Sequence, residues 1–261
     1  MSFAPEWLAL REQADADARS TELLDLLEPL GETRLNRTPL VLRDLGCGTG
    51  SMGRWLGARL GGTPHWVLHD RDPRLLALAG ASMTAGSVET REGDLTALRA
   101  EDFEGTSLVT ASALLDLLTR DELNDLAAAC VSAGVPALFT LSVTGEIEFE
   151  TAEALDAEFE AAFNAHQRRV ADGRRLLGPD AVAAAAEAFA DTEVHTRPSP
   201  WRLGDGQKAL AAEWLRGWVG AAVEQEPGLA AEAPAYLRRR LADGPHVLVG
   251  HTDLLAIPRT T

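Results

Sequence analysis

Three carboxylates stand where short apolar runs end. Asp44 follows Leu40, Val41 and Leu42; Asp70 closes His65-Trp66-Val67-Leu68-His69-Asp70; Asp94 follows Gly93 after a weaker run from Val88. After the first acid comes Leu45-Gly46-Cys47-Gly48-Thr49-Gly50, with glycines at alternate positions, and then a helical pattern through Trp55, Leu56 and Leu60. Glycines so spaced let the backbone turn sharply and approach a ligand where any Cβ would clash. The helix that follows begins with N–H groups that have no partners of their own. A strand, a glycine loop and a helix early in an α/β chain form the usual seat of a nucleotide-like ligand. Carboxylates and backbone donors together suit a ligand that offers hydroxyls and positive charge.

The segment Gly48-Thr49-Gly50-Ser51-Met52-Gly53 also spells the dinucleotide fingerprint G-x-G-x-x-G. Asp44 argues against that reading, because a carboxylate at the first strand end repels pyrophosphate and favours an ammonium or sulfonium. The string Asp44-x-Gly46-x-Gly48-x-Gly50 resembles the first motif of class I S-adenosylmethionine-dependent methyltransferases. Asp70, 20 residues beyond Gly50, is placed to accept both ribose hydroxyls, as an acid does at this distance in dinucleotide folds. Asp72 before Pro73 reads as a helix N-cap. Gly93-Asp94-Leu95 resembles the family's third motif, where the acid accepts from the adenine amino group and the next N–H meets the ring; an ordinary turn is the plain alternative. The resemblance spans about residues 39 to 143. It implies S-adenosyl-L-methionine as cofactor, with Asp44, Gly46, Cys47, Gly48, Gly50, Asp70, Arg71, Asp94, Leu95 and Ser112 around it. Many relatives carry histidines or other polar residues where this chain has Leu115 and Asp116.

The elements that must position these residues alternate. Strands are expected at the run before Asp44, at 65–70, near 88–92, at 107–111 and at 137–143, with helices after Gly50, after Pro73 and over 120–132. Such alternation predicts an α/β, Rossmann-like, doubly wound and mostly parallel sheet, here seven-stranded as the resemblance implies, with extra N-terminal and lid helices. A single domain of 261 residues is expected: 1–38 an N-terminal helical extension, 39–143 the cofactor-binding core, and 144–261 substrate-side helices and closing strands. In many relatives such an extension lies across the cofactor, so Arg11 or Arg19 is placed to meet the methionyl carboxylate; a solvated helix charge is the alternative.

Composition narrows the partners. Net charge is −16, from 24 basic and 40 acidic residues, which disfavours binding to a phosphate backbone. A small-molecule acceptor is expected, with no nucleic acid and no membrane partner. The start of the chain lacks a basic segment followed by an apolar core, and no run of about 18 apolar residues occurs. Cys47 and Cys130 have no disulfide or metal spacing, and neither H-E-x-x-H nor Cys-x-x-Cys appears, so no metal site is expected. These features point to a cytoplasmic protein with reduced thiols.

Substrate choice is expected after the fifth strand. Residues 151–172 read as one long helix with Leu155, Phe159, Phe163, His166 and Val170 on a stripe. His166 on that stripe is either a core histidine or a general base, its reference pKa lying near neutrality; Asp116 is the other candidate base. Around it stand Asn164, Arg168 and Arg169, with Arg174 and Arg175 beyond. Such a concentration either favours the negative helix end or holds an anionic acceptor. Further elements are expected as a helix over 181–190, a strand over 193–201, a helix over 207–224 and a closing strand over 246–257, bent at Gly250. The reading is methyl transfer to a small, possibly anionic acceptor. An NAD(P)-binding oxidoreductase and a non-catalytic S-adenosylmethionine-binding protein remain as alternatives.

Overall fold

The computed structural model describes residues 3–27, 40–60, 62–84, 86–242, 244 and 246–259. Residues 1–2 and 28–38 of the expected N-terminal extension lie outside the described residues. Ahead of the sheet come α1 (Pro5–Ala18) and the short α2 (Glu22–Asp25). Then β1 (Val41–Leu45), α3 (Ser51–Gly57), β2 (His65–Asp70), α4 (Pro73–Ser82), β3 (Ser87–Glu92), β4 (Leu108–Ser112), α5 (Arg120–Ser132) and β5 (Ala137–Phe149) follow in turn. These five strands are parallel where they pair. β1 and β4 are buried along nearly their whole length, as strands covered on both faces are, although β1 carries Arg43 and Asp44.

The chain continues through α6 (Asp156–Gln167), a hairpin of β6 (Val170–Ala171) and β7 (Arg174–Arg175), α7 (Ala181–Ala188), β8 (Glu193–Pro198), β9 (Trp201–Leu203), α8 (Lys208–Gln225), α9 (Ala233–Ala242) and β10 (Val247–Ile257). Sheet order is β3-β2-β1-β4-β5-β10-β8, with β9 beside β10. β10 runs antiparallel to β5, β8 and β9. The sheet therefore has eight strands, one more than expected; the addition is the three-residue β9. β2 and β4 flank β1, so the strand order reverses there and a crevice opens at the carboxyl ends.

β5 and β10 outrun their neighbours and carry their ladder beyond the sheet edge. The register shifts between Val249 and His251, at Gly250, where a Cβ would lie 2.3 Å from Thr144 Oγ1. On this extension sits a second core: Phe149, Phe159, Trp214, Trp218 and Tyr236, with Phe159 and Tyr236 stacked at 4.5 Å. Arg240 lies over the Phe149 ring at 3.9 Å and donates to Thr151 O at 2.7 Å.

The long helix expected over 151–172 is shorter. It spans Asp156–Gln167, after which Asp172 and Gly173, both at positive φ, turn the chain into the β6–β7 hairpin. Val170, taken as part of the apolar stripe, is 65% exposed. The stripe ends where packing against α8 ends, and hairpin geometry takes over from the 3.6-residue period.

Candidate active site

The glycine loop is held by backbone shape. Gly46, Gly48 and Gly50 have φ of +64°, +55° and +87°, a region L side chains enter only with strain. A Cβ on Gly48 would also meet Leu8 of α1 at 3.2 Å. Gly53 has another duty: a Cβ there would press on Met83 Cε at 2.8 Å. The literal fingerprint thus reflects close packing of α3 on its neighbours rather than a second phosphate contact.

Around this loop a cavity of about 430 Å³ opens at the ends of β1, β2, β3 and β4. Asp44, Gly46, Cys47, Gly48, Asp70, Arg71, Asp94, Leu95 and Ser112 all line it; Gly50 does not, and caps α3 behind it. Asp44 is buried, and its Oδ1 accepts from Thr110 Oγ1 at 2.8 Å while Oδ2 has no partner among the described residues. Burial raises its pKa to about 7, opposed by the Thr110 hydrogen bond and by Arg19. Asp70 accepts from Gly48 N at 2.9 Å through Oδ2 and from Asp72 N at 3.0 Å through Oδ1. Each oxygen keeps a further lone pair. Asp72 caps α4, accepting from Arg74 N at 2.9 Å. Asp94 accepts from Thr96 N and Oγ1 at 3.0 and 2.8 Å, which holds its pKa low and fixes the turn beside the cavity.

α1 forms the opposite wall through Phe3 just ahead of it, Leu8, Arg11 and Asp15. It is clamped there: Glu12 takes two bonds from Arg54 at 2.8 and 2.7 Å, and Asp15 accepts from Trp201 Nε1 at 3.0 Å. Arg19, just past α1, is buried outside the cavity's lining, 4.0 Å from Asp15 Oδ2, and donates through Nη2 to two lining hydroxyls, Ser51 Oγ at 3.2 Å and Ser112 Oγ at 3.0 Å. Its Nε and Nη1 have no partner among the described residues, and burial lowers its pKa, which Asp15, Asp44 and Asp253 oppose. An enclosed carboxylate oxygen and enclosed guanidinium nitrogens thus lack partners within electrostatic reach of each other. An amino-acid zwitterion offers an ammonium to the first and a carboxylate to the second, so the donor set fits that end of S-adenosylmethionine.

The remaining expected residues divide. Asp116 sits on the turn after β4, between Leu114 and Leu117; those two line the cavity and Asp116 itself does not. Its Oδ1 is enclosed and unpartnered among the described residues, and burial raises its pKa while Arg11 and Arg169 oppose that. His166, Asn164, Arg168 and Arg169 do not line the cavity. His166 Nε2 faces Glu224 Oε2 of α8 at 3.3 Å, and burial lowers its pKa. Asn164 Nδ2 donates to Gly145 O at 2.9 Å. Arg168 forms a two-pronged pair with Asp180, both contacts 2.7 Å. Arg169 Nη1 donates to His166 O at 3.0 Å. The expectation that this segment borders the cleft is therefore corrected: its polar groups join α6 to β5, to α8 and to the start of α7. The hairpin supplies the cleft residues instead, namely Ala171, Asp172 and Arg174, with Arg174 held by Glu122 at 2.8 and 2.6 Å. No local sequence signal marked Leu8, Glu122 or Asp172, since each reaches the cavity through tertiary placement. Among the described residues, no group of three or more His, Cys, Asp or Glu is arranged to hold a metal ion.

A crevice at a strand-order reversal, with acids at three strand ends, suits a ligand that offers hydroxyls and positive charge. Residues 42–136 match the family model described as a methyltransferase domain. Over that stretch, somewhat more than a third of the chain, it is similar to methyltransferase domains. Solved structures similar to it include an S-adenosylmethionine-dependent methyltransferase from Thiobacillus denitrificans in complex with S-adenosyl-L-homocysteine, 17% identical, covering 99% of this chain and 100% of that one with a TM-score of 0.49. A second, from Geobacter sulfurreducens with the same ligand, is 18% identical with the same coverages and a TM-score of 0.49. The cyclopropane synthase MmaA2 from Mycobacterium tuberculosis is 16% identical, covering 98% and 99% at a TM-score of 0.46. No curated protein matches the chain. No described helix is long and apolar enough to cross a membrane.

Proposed function

We propose that the cleft passes a methyl group to a neutral or cationic small molecule, and the charge of its lining supports this reading. Asp15, Asp44, Asp70, Asp94, Glu122 and Asp172 line it against Arg11, Arg71 and Arg174. Arg11 is paired with Asp15 at 3.0 Å and Arg174 with Glu122. A cavity with such an excess of carboxylates repels an anionic acceptor even after a cofactor of net charge +1 is bound. Of the arginines that suggested an anion, Arg168 is paired with Asp180 away from the cleft. The acidic chain as a whole argues equally against nucleic acid. We place the protein in the cytoplasm on its thiols, both free and buried.

In this reading Asp44 accepts from the cofactor's ammonium, Arg19 meets its carboxylate, Asp70 accepts from the ribose, and Asp94 with Leu95 borders the adenine. The bound cofactor supplies a sulfonium leaving group and the methyl that is displaced. What the chain adds is alignment of the acceptor between α1, the 112–118 turn and the hairpin, against the apolar lining of Leu8, Leu114, Leu117 and Leu176. Where the nucleophile must lose a proton, Asp116 takes it, its basicity raised by burial.

The test is transfer from methyl-labelled S-adenosylmethionine to a panel of amines, phenols, carboxylates and phosphomonoesters, read by mass spectrometry. Amines or uncharged phenols are the expected acceptors. Methylation confined to carboxylates or phosphorylated compounds would overturn the charge argument, and cofactor binding without transfer to any class would favour a non-catalytic binder.

A further inference from the structure

We propose that Asp253 is a positioning residue for the cofactor's carboxylate, acting through Arg19; this rests on the reading that Arg19 meets that carboxylate. Asp253 lies on β10 with no exposure. Its Oδ1 accepts from Leu141 N at 2.8 Å and from Ser199 Oγ at 2.5 Å, and its Oδ2 accepts from Ser20 N at 2.8 Å. One carboxylate thus joins the end of the core part of β5, the link between β8 and β9, and the chain leaving α1.

Two of those segments lead to the cleft. Leu141 has a φ of +57°, a left-handed conformation that a branched side chain holds only where surrounding contacts enforce it. Its neighbour Thr140 donates to Ser112 Oγ at 3.0 Å, and Ser112 lines the cavity. On the other side, Ser20 follows Arg19, whose backbone has left the helix at φ −57° and ψ 132°. The direction in which Arg19 leaves α1 is therefore set by what holds Ser20. Its Nη2 then reaches Ser51 and Ser112. Asp253 fixes both the guanidinium and the hydroxyl that receives it.

An amide in place of this carboxylate keeps the volume but turns an NH₂ towards one of the donors, Leu141 N–H or Ser20 N–H. Calorimetry on Asp253→Asn with S-adenosylhomocysteine and with its decarboxylated analogue, which keeps the ammonium, separates positioning from bulk stability. The expected result is about ten-fold weaker binding of S-adenosylhomocysteine, the size of one lost charge-assisted contact, with the analogue little changed. Equal weakening of both ligands, or no weakening, overturns the proposal. Arg19→Met is run in parallel: if it spares both ligands the reading of Arg19 falls, and if it selectively weakens S-adenosylhomocysteine while Asp253→Asn does not, only the role of Asp253 falls. Should Asp253→Asn fail to fold, Ser20→Pro deletes the one N–H on Oδ2. The extended Arg19 backbone suits a residue before proline. The same selective loss is expected, and its absence refutes the proposal.

Discussion

The half of the molecule around β1 to β4 and the half built on the β5–β10 extension obey different rules. In the first, functional groups sit at strand ends a few residues from the glycines that shape them, and backbone geometry does the positioning. Gly46, Gly48 and Gly50 all hold positive φ, and Asp70 is bonded back to Gly48 N. In the second, α6, α8 and α9 are placed by aromatic packing around Trp218, and polar groups mostly serve to join helices. The strand-end carboxylates Asp44, Asp70 and Asp94 of the first half therefore line the cavity, whereas ionisable groups of the second, such as His166 and Arg168, face another element.

The sharpest break between the halves is expected at Gly48. Gly48→Val places a branched side chain at a φ of +55° and against Leu8. Cofactor binding should fall by about a hundred-fold or more, since strain of roughly 1 to 3 kcal/mol adds to the direct clash. Calorimetry with S-adenosylhomocysteine reads this; near-normal affinity would show that the cofactor lies away from the loop. Asp116→Asn, on the boundary between halves, should lower kcat by about 10² with cofactor affinity unchanged, the usual size of a lost general base. An unaltered kcat would leave alignment alone to carry the reaction.

Asp44 sharpens the comparison through pH. With its pKa raised to about 7 by burial, the free protein holds a proton that the unfolded chain does not, so this group favours folding at low pH. That contribution fades as pH rises from about 4 to about 7. The cofactor's ammonium favours the ionised carboxylate, so binding releases the proton. Affinity should then weaken by up to about ten-fold per unit as pH drops below 7. Arg19 and Asp70 are its charged neighbours. Asp44→Asn should flatten the profile, and an unchanged slope in that variant would assign the dependence to another group. Asp70→Ala should weaken binding by about ten-fold, because contacts to a charged acceptor are worth roughly 1.5 to 3 kcal/mol before water compensates. Part of that loss belongs to the loop, since Gly48 N loses its acceptor. A cofactor analogue lacking both ribose hydroxyls should lose much less affinity for the variant than for the native protein; an equal loss would mean that Asp70 serves the loop alone.

This asymmetry also governs how much could be read from residue order. The parallel core, the N-cap at Asp72 and the cavity-lining places of Asp44, Asp70 and Asp94 follow from short-range patterns: apolar runs, glycine spacing and an acid at each strand end. The wall formed by α1 was legible in residue order only as a helix, and its place across the cofactor was an expectation from the family resemblance alone. The β6–β7 hairpin was hidden because Leu155, Phe159, Phe163 and Val170 share helical spacing although the helix ends at Gln167. The arginine excess there misled for a related reason. Local charge reveals that partners are needed, while tertiary contacts decide whether the partner is Asp180, Glu122 or a ligand.

The smallest effects are expected from the residues that stood out most in that stretch, His166 and Arg168. His166 faces Glu224, whose side chain is 75% exposed, and does not line the cavity. Removing the imidazole should lower stability by roughly 1 kcal/mol, as for a half-buried side chain outside the main core. Arg168 and Asp180 form a surface pair, of the kind worth about 0 to 1 kcal/mol. Both alanine variants should show a slightly lower melting temperature with kcat, KM and cofactor affinity close to native. Burial holds the His166 pKa below its usual value, so the imidazole is neutral at neutral pH and exerts no long-range field on the cleft. A large fall in kcat for His166→Ala, with the fold intact, would mean that α6 closes onto the acceptor during turnover, and the boundary between the two halves would have to be redrawn through the lid.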